Sequence, residues 1–327
     1  MAVRSWSRRA AVLGALTVLS VPAFAADFPA RAISLIVPFA AGSTSDASAR
    51  IVGQHMAKTL GQPVVIENKV GAGGTIAATF SARSKPDGYT LFWTSSSVQV
   101  IAPFVMAGLP WDPVKSFEPV GLSSRIPQII AVNNALPART FGELVALAKA
   151  RPGTLNYATL GPNTTQNLIM SVIMKKLGIS MTQVPYSSAA QIYPDLLTGR
   201  VDLILDNMPN VVPFAKRGDL RPLAVTTRQR VAVLPDVPTV ADSGLPDFEM
   251  VAWGGMVVPA GTPPEVIAII RDAYGKALAS EEFRSWAETS GAIAAAGQEF
   301  PTFAAFLQRE LAAWKVAAEQ SGVAISK

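Results

Sequence analysis

Ile33-Ser34-Leu35-Ile36-Val37-Pro38-Phe39-Ala40-Ala41-Gly42-Ser43-Thr44-Ser45-Asp46 is the stretch that decides the fold. Ile33 to Val37 is a short apolar run stopped by Pro38, which marks a buried strand. Gly42 to Ser45 is a polar loop. Asp46 to Leu60 then reads as a helix closed by Gly61, where a helix end favours positive φ. Strand, hydroxyl-rich loop and helix in immediate succession are the unit from which α/β layers are built.

The pattern repeats outward from there. Val64 to Glu67 reads as a strand, followed by Gly71-Ala72-Gly73-Gly74 and a helix through about Ser84. Pro86-Asp87-Gly88 is a turn, and Tyr89 to Trp93 a third strand ending in Thr94 to Ser97. A second set starts near Ile126, with Gln128 to Val132 as a strand. Thr140 with Glu143 three residues on predicts a capping box. Leu155 to Ala158 is strand-like and leads into Gly161-Pro162-Asn163-Thr164-Thr165. The helix after it places Leu168, Ile169, Val172, Ile173 and Leu177 on one face and closes at Gly178. Val184 to Ser188 precedes a helix ending at Gly199. Val201 to Leu205 and Leu223 to Thr226 read as further strands, the first ending in Asp206-Asn207. Thr262-Pro263-Pro264-Glu265 predicts a capped helix to about Ser280, and another helix spans roughly Pro301 to Gln320. Two αβ sets and a helical tail suggest two lobes with the tail folded back on the first. The connecting segments would lie near Ser123–Arg125 and Glu249–Trp253. Periodicity supports the two sets but does not itself return the chain to the first lobe.

Of the 327 residues, 50% are hydrophobic and 16% charged, enough apolar material for substantial cores. Arg4, Arg8 and Arg9 precede the apolar run Ala10 to Val21 and the small-x-small site Ala23-Phe24-Ala25. This is the pattern of a secretory signal, with cleavage expected after Ala25 and a periplasmic destination. Ser7-Arg8-Arg9 loosely resembles a twin-arginine signal, although Ala11 stands where an aromatic is usual. Without those three arginines, 25 basic residues face 23 acidic ones, so no basic surface for nucleic acid is indicated. The chain has no cysteine, which excludes disulfides, a cysteine lipid anchor and thiolate chemistry.

Catalytic and metal chemistry find little to work with. His55 is the only histidine and falls mid-helix, and no G-x-S-x-G elbow exists. A histidine on a polar helix face is more often structural. No carboxylate cluster has metal-ligand spacing. The Gly71–Gly74 loop sits where a dinucleotide fingerprint would, but Ile76 occupies the third glycine position and no ribose-binding acid lies near Phe92–Ser95. No cofactor is expected. The loops Phe39–Ser45 and Gly161–Thr165 are more informative. Each brings small side chains, hydroxyls and free amides to a helix N-terminus, which favours an anion. Simple capping by Ser45 and Asn163 is the plainer reading. One such loop in each set suits a clamp on a single carboxylate-bearing solute.

The chain resembles the periplasmic receptors of tripartite tricarboxylate transporters, the Bug family. The resemblance rests on Phe28 to Gly42, Glu67 to Ile76 and Lys85 to Leu91. It continues through Val184 to Tyr186, Asp195 to Asp202, Leu223 to Thr227, Leu234 to Thr239 and Pro259 to Pro263. It implies an α/β, two-lobed type II periplasmic binding protein fold with a hinged cleft. The lobes would divide as 26–124, 125–249 and a return over 250–327, after a signal at 1–25. It implies capture of a small carboxylate (amino acid, di- or tricarboxylate, or aromatic acid) and hand-over to membrane transporter subunits, by a monomer that catalyses nothing. By matching position the ligand would meet Phe39, Ala41, Gly42, Ser43 and Asp46, then Ser95 and Ser96. From the second lobe it would meet Gly161, Asn163, Thr164, Thr165, Tyr186 and Asp206. Three positions depart from the family pattern: Ser43 and Asn163 replace glycines, and Asn167 replaces a histidine. These changes predict a narrower, differently hydrogen-bonded pocket. The competing readings are a solute-sensing partner of a membrane sensor kinase and, from another class, a hydrolase or dehydrogenase.

Overall fold

The computed structural model describes residues 28–295 and 300–322. The expected signal segment, with its expected cleavage after Ala25, lies outside the described residues. In chain order the first elements are β1 (Ile33–Val37), α1 (Thr44–Leu60), β2 (Val64–Asn68), α2 (Thr75–Ala82), β3 (Thr90–Ser95), α3 (Ala102–Val105) and β4 (Phe117–Ile126). Next come β5 (Gln128–Asn133), α4 (Phe141–Ala150), β6 (Asn156–Thr159), α5 (Thr165–Leu177), β7 (Thr182–Pro185), α6 (Ala189–Leu197), β8 (Leu203–Asn207), α7 (Met208–Arg217) and β9 (Leu220–Val225). The chain ends with β10 (Ala252–Pro259), α8 (Pro264–Leu278), α9 (Glu281–Ser290), β11 (Ile293–Ala294) and α10 (Phe300–Ser321).

These strands form two sheets. The first has six strands in the order β11-β4-β10-β3-β1-β2, and the second five in the order β7-β6-β8-β5-β9. β1 runs parallel to β2 and β3, while β10 is antiparallel to both β3 and β4. The main chain passes from the first sheet to the second between Ile126 and Gln128 and returns between β9 and β10. β1 is buried at Ile33, Leu35, Ile36 and Val37 because helices cover both of its faces, so its run shows no alternation.

Two long strands escape the sequence reading. Every residue of β10 is buried, yet its Gly254-Gly255 pair reads as a break. The glycines are there because the strands close in. A Cβ on Gly255 would lie 2.7 Å from the Gly121 carbonyl oxygen, and the register with β4 shifts between Gly254 and Gly255. The expected connecting segment therefore ends inside a central strand. The other expected connecting segment, Ser123–Arg125, lies inside β4.

The tail behaves differently from the expectation. α8 packs on α1 and β4, but α10 packs on β4 and also on α5, which belongs to the second sheet's set. Phe303, Leu307, Trp314 and Ala318 recur along one stripe of α10 and join the core shared by Trp253, Leu168 and Ile173. α10 thus straps the two sets on the side of the connecting segments. Among the described residues no helix is long and apolar enough to cross a membrane.

Capping also corrects the sequence reading. α1 begins at Thr44, and its cap is Ser43, whose Oγ accepts the Asp46 amide at 3.3 Å. α5 is capped by Thr164, whose Oγ1 accepts the Asn167 amide at 3.4 Å. Ser45 and Asn163, expected as caps, are therefore released. Thr262 does not cap α8. Its hydroxyl donates to the Pro259 carbonyl at 2.7 Å, leaving Pro263 at the cap position. Thr140 caps α4 as expected, but Glu143 reaches back to the amide of Arg139.

Candidate functional site

A cavity of about 1090 Å³ opens between the two sheets at the carboxyl ends of β1, β3, β6 and β8. This is where open α/β sheets place ligands. The first set contributes the loops at Phe39–Ser45, Val70–Gly74 and Ser95–Ser97, and the second contributes Leu160–Gln166, Tyr186–Ala190 and side chains of α6 and α7. Of the positions singled out in the sequence, Phe39, Ala41, Gly42, Ser43, Ser95, Ser96, Gly161, Asn163, Thr164, Thr165 and Tyr186 line it.

Asp46 and Asp206 are not among the lining residues, and their carboxylates are engaged by the protein. Asp46 accepts hydrogen bonds from the Gly42 amide, Arg50 and Asn68, each at 2.9 Å, and so braces the first loop from behind. Burial pushes its carboxyl up, but the bonds from Arg50, the Gly42 amide and Asn68 outweigh that and hold it below the usual carboxylate range. Asp206 is buried and takes four neutral donors: the Asn207 amide at 2.7 Å, Tyr193 Oη at 2.8 Å, Gln166 Nε2 at 3.0 Å and Asn210 Nδ2 at 3.0 Å. It ties β8, α5, α6 and α7 together. His55 lies elsewhere, with Nε2 3.0 Å from Glu282.

Several expected ligand groups are occupied by the protein. The hydroxyls of Ser96 and Ser97 lie 3.0 and 2.7 Å from Thr165 Oγ1, and Ser97 Oγ accepts the Thr165 amide at 3.0 Å. The Thr164 hydroxyl caps α5 and donates to the Gly161 carbonyl at 2.9 Å. Asn163 reaches across the cleft, donating to the Ala72 carbonyl at 2.9 Å. Its amide fills the space over Gly73, where a Cβ would stand 2.5 Å from Nδ2, and Gly73 has φ of 63°. The narrowing expected from Asn163 is thus a contact between the sets. Thr44 Oγ1 adds another, donating to Asn210 Oδ1 at 2.9 Å.

What remains free is informative. Among the described residues the amides of Thr44 and Ser45 in the first turn of α1, and of Gln166 in α5, have no acceptor in the protein. These are the orphan donors that a helix start leaves, at its partial positive charge. Ser95 Oγ, on the cavity wall at the end of β3, is buried without a hydrogen-bond partner, with 7% of the residue exposed. Among the described residues, none that lines the cavity is Lys, Arg, His, Asp or Glu. The arrangement suits an anion held by fixed neutral donors. The amides of Thr44 and Ser45 belong to the loop that the sequence reading proposed for an anion, whereas Asn207, Asn210, Tyr193 and Phe214 were missed as wall residues. Position at a strand's carboxyl end was the available signal for Asn207.

Residues 48–323 match the model of the tripartite tricarboxylate transporter family receptor. The chain is 38% identical, over 83% of its length and 79% of the relative, to the UPF0065 protein in the TAR-I ttuE-ttuC' intergenic region of Agrobacterium vitis. Its fold is similar to the periplasmic binding protein BugD, with a TM-score of 0.86 and 32% identity over 91% of this chain and 99% of that one. It is also similar to R. palustris Rpa4515 with adipate, with a TM-score of 0.85 and 32% identity over 91% and 99% of the two chains.

Proposed function

The chain belongs to the tripartite tricarboxylate transporter receptor family, a family of two-lobed periplasmic solute-binding receptors, and from that premise we propose that its own solute is a small carboxylate held in the cavity between the sheets without a salt bridge. The observation that carries this reading is the lining itself. Free amides at the starts of α1 and α5 meet the unpartnered Ser95 hydroxyl in a wall with no ionised side chain. A carboxylate buried there gains several charge-assisted hydrogen bonds from donors already oriented. It also satisfies groups that are otherwise left unpaired at a cost. Adipate in the R. palustris relative supports the carboxylate class.

The rest of the reading follows the fold. The lobes divide at 124/125 and 249/250 and close by hinge motion about the two crossings. Ser96, Ser97, Thr165, Thr44 and Asn210 contribute bonds to the closed form rather than to the ligand. The mature monomer starts at Ala26, acts in the periplasm, delivers its solute to membrane transporter subunits and turns nothing over. Native mass spectrometry of protein gently purified from the periplasm tests this. The expected result is one bound small acid on a monomer of the mature mass. A bound cation or neutral sugar, or a rate of turnover above background, would overturn the reading. Pull-down from membranes should recover transporter subunits, and recovery of a sensor kinase in their place would overturn the delivery step.

A further inference from the structure

We propose that the solute carries a single carboxylate on an uncharged body of about aromatic size, an inference that rests on the carboxylate-receptor reading above. The donors just described account for one carboxylate. The part of the wall made by α6 and α7 is of another kind. Tyr186, Tyr193, Pro194, Leu197 and Phe214 line it. The Tyr193 and Phe214 rings stack with centroids 4.4 Å apart and 4° between their planes.

The two tyrosines look like anion donors and are not. A phenol has one proton to give. Tyr186 gives its proton to Asp195 at 3.0 Å, and Tyr193 gives its own to Asp206 at 2.8 Å. Neither hydroxyl therefore has a proton left for a ligand, and each lies against a carboxylate. Asp195 is offset by Arg200 at 3.0 Å, but Asp206 is surrounded only by neutral donors. The cations near this wall are already paired, Arg200 with Asp195 and Arg217, whose Cζ lies 4.8 Å from the Phe214 ring centroid, with Asp219 at 2.7 Å, so a second ligand carboxylate would have to displace an existing partner and would face the Asp206 charge, which is unfavourable away from bulk water. A ring suits the same surface, because the stacked Tyr193–Phe214 pair, with Arg217 also over the Phe214 ring, leaves ring edges for aromatic contact and those contacts add to the ligand's burial. The cavity, at about 1090 Å³, has room for such a body beyond the carboxylate.

The test is calorimetric titration of the mature chain with two series at neutral pH. Benzoate, phenylacetate and 4-phenylbutanoate form one series, and succinate, malate and adipate the other. The tightest aryl monoacid is expected to bind about tenfold or more tightly than the tightest diacid. Phe214→Ala should weaken the aryl acids about tenfold. Phe214→Leu serves if the alanine variant is unfolded, and the comparison on the unaltered protein needs neither. A diacid binding as tightly as the best monoacid, or tighter, overturns the inference while the receptor reading stands. Absence of binding throughout both series overturns the receptor reading itself.

Discussion

Ser95→Ala separates a ligand-binding hydroxyl from a structural one. Ser95 ends β3, pairs across to Gly254 of β10, and is 7% exposed. Its hydroxyl has no partner within the protein, so the substitution removes no protein hydrogen bond. An unsatisfied buried polar group costs about 1–3 kcal/mol, so the ligand-free variant should be as stable as the parent or more stable. A hydrogen bond to a charged group contributes about 1.5–3 kcal/mol, which converts to a loss of affinity of roughly ten- to a hundredfold or slightly more. Thermal unfolding without ligand and calorimetry with the tightest carboxylate read the two effects separately. The expected signature is weakened binding with an unchanged or raised Tm. A variant that binds as before, or one that loses stability and affinity together, would refute the assignment.

The other predictions concern the walls and the field of the site. Thr164→Val should lower stability by about 1 kcal/mol in urea unfolding, because it removes the α5 cap, and should move affinity less than Ser95→Ala does; the reverse order would return Thr164 to the ligand. Affinity measured from low to high ionic strength should change little, since no mobile charged side chain lines the cavity, and a steep decline would place the carboxylate against a surface cation. Asp46→Asn should destabilise the protein at neutral pH. The folded carboxyl titrates below its ordinary value near 3.8, so its contribution is present above that value and lost as pH falls through the folded one. The stability gap between parent and variant should therefore close below about pH 4, and a gap independent of pH would mean the charge of Asp46 is not what matters.

How much of this was legible in the sequence differs between elements for physical reasons. α1 and α5 combine an apolar period, a polar start and a glycine in positive φ at the close, with Gly61 at 68° and Gly178 at 64°, and β1 and β2 are short apolar runs, the first stopped by Pro38. Those signals are local and were read within a residue or two. β10 was not, because its glycines answer to the Gly121 backbone, far away in sequence. The loops of the site were legible as loops. The division of labour inside them was not, because hydroxyls at neighbouring positions are equivalent in sequence. Only the fold decides that Ser43 and Thr164 cap, that Ser96 and Ser97 meet Thr165, and that Ser95 is left over. Asp46 and Asp206 were singled out by position, and their partners turn them into the wall.

The most direct test of the carboxylate site is a crystal structure of the mature protein with the acid that co-purifies with it. One carboxylate is expected within hydrogen-bonding distance of Ser95 Oγ and of the amides of Thr44, Ser45 and Gln166, directly or through a single water, with no Lys or Arg in contact. A carboxylate paired with an arginine or lysine, or a bound solute that carries no carboxylate, would contradict it.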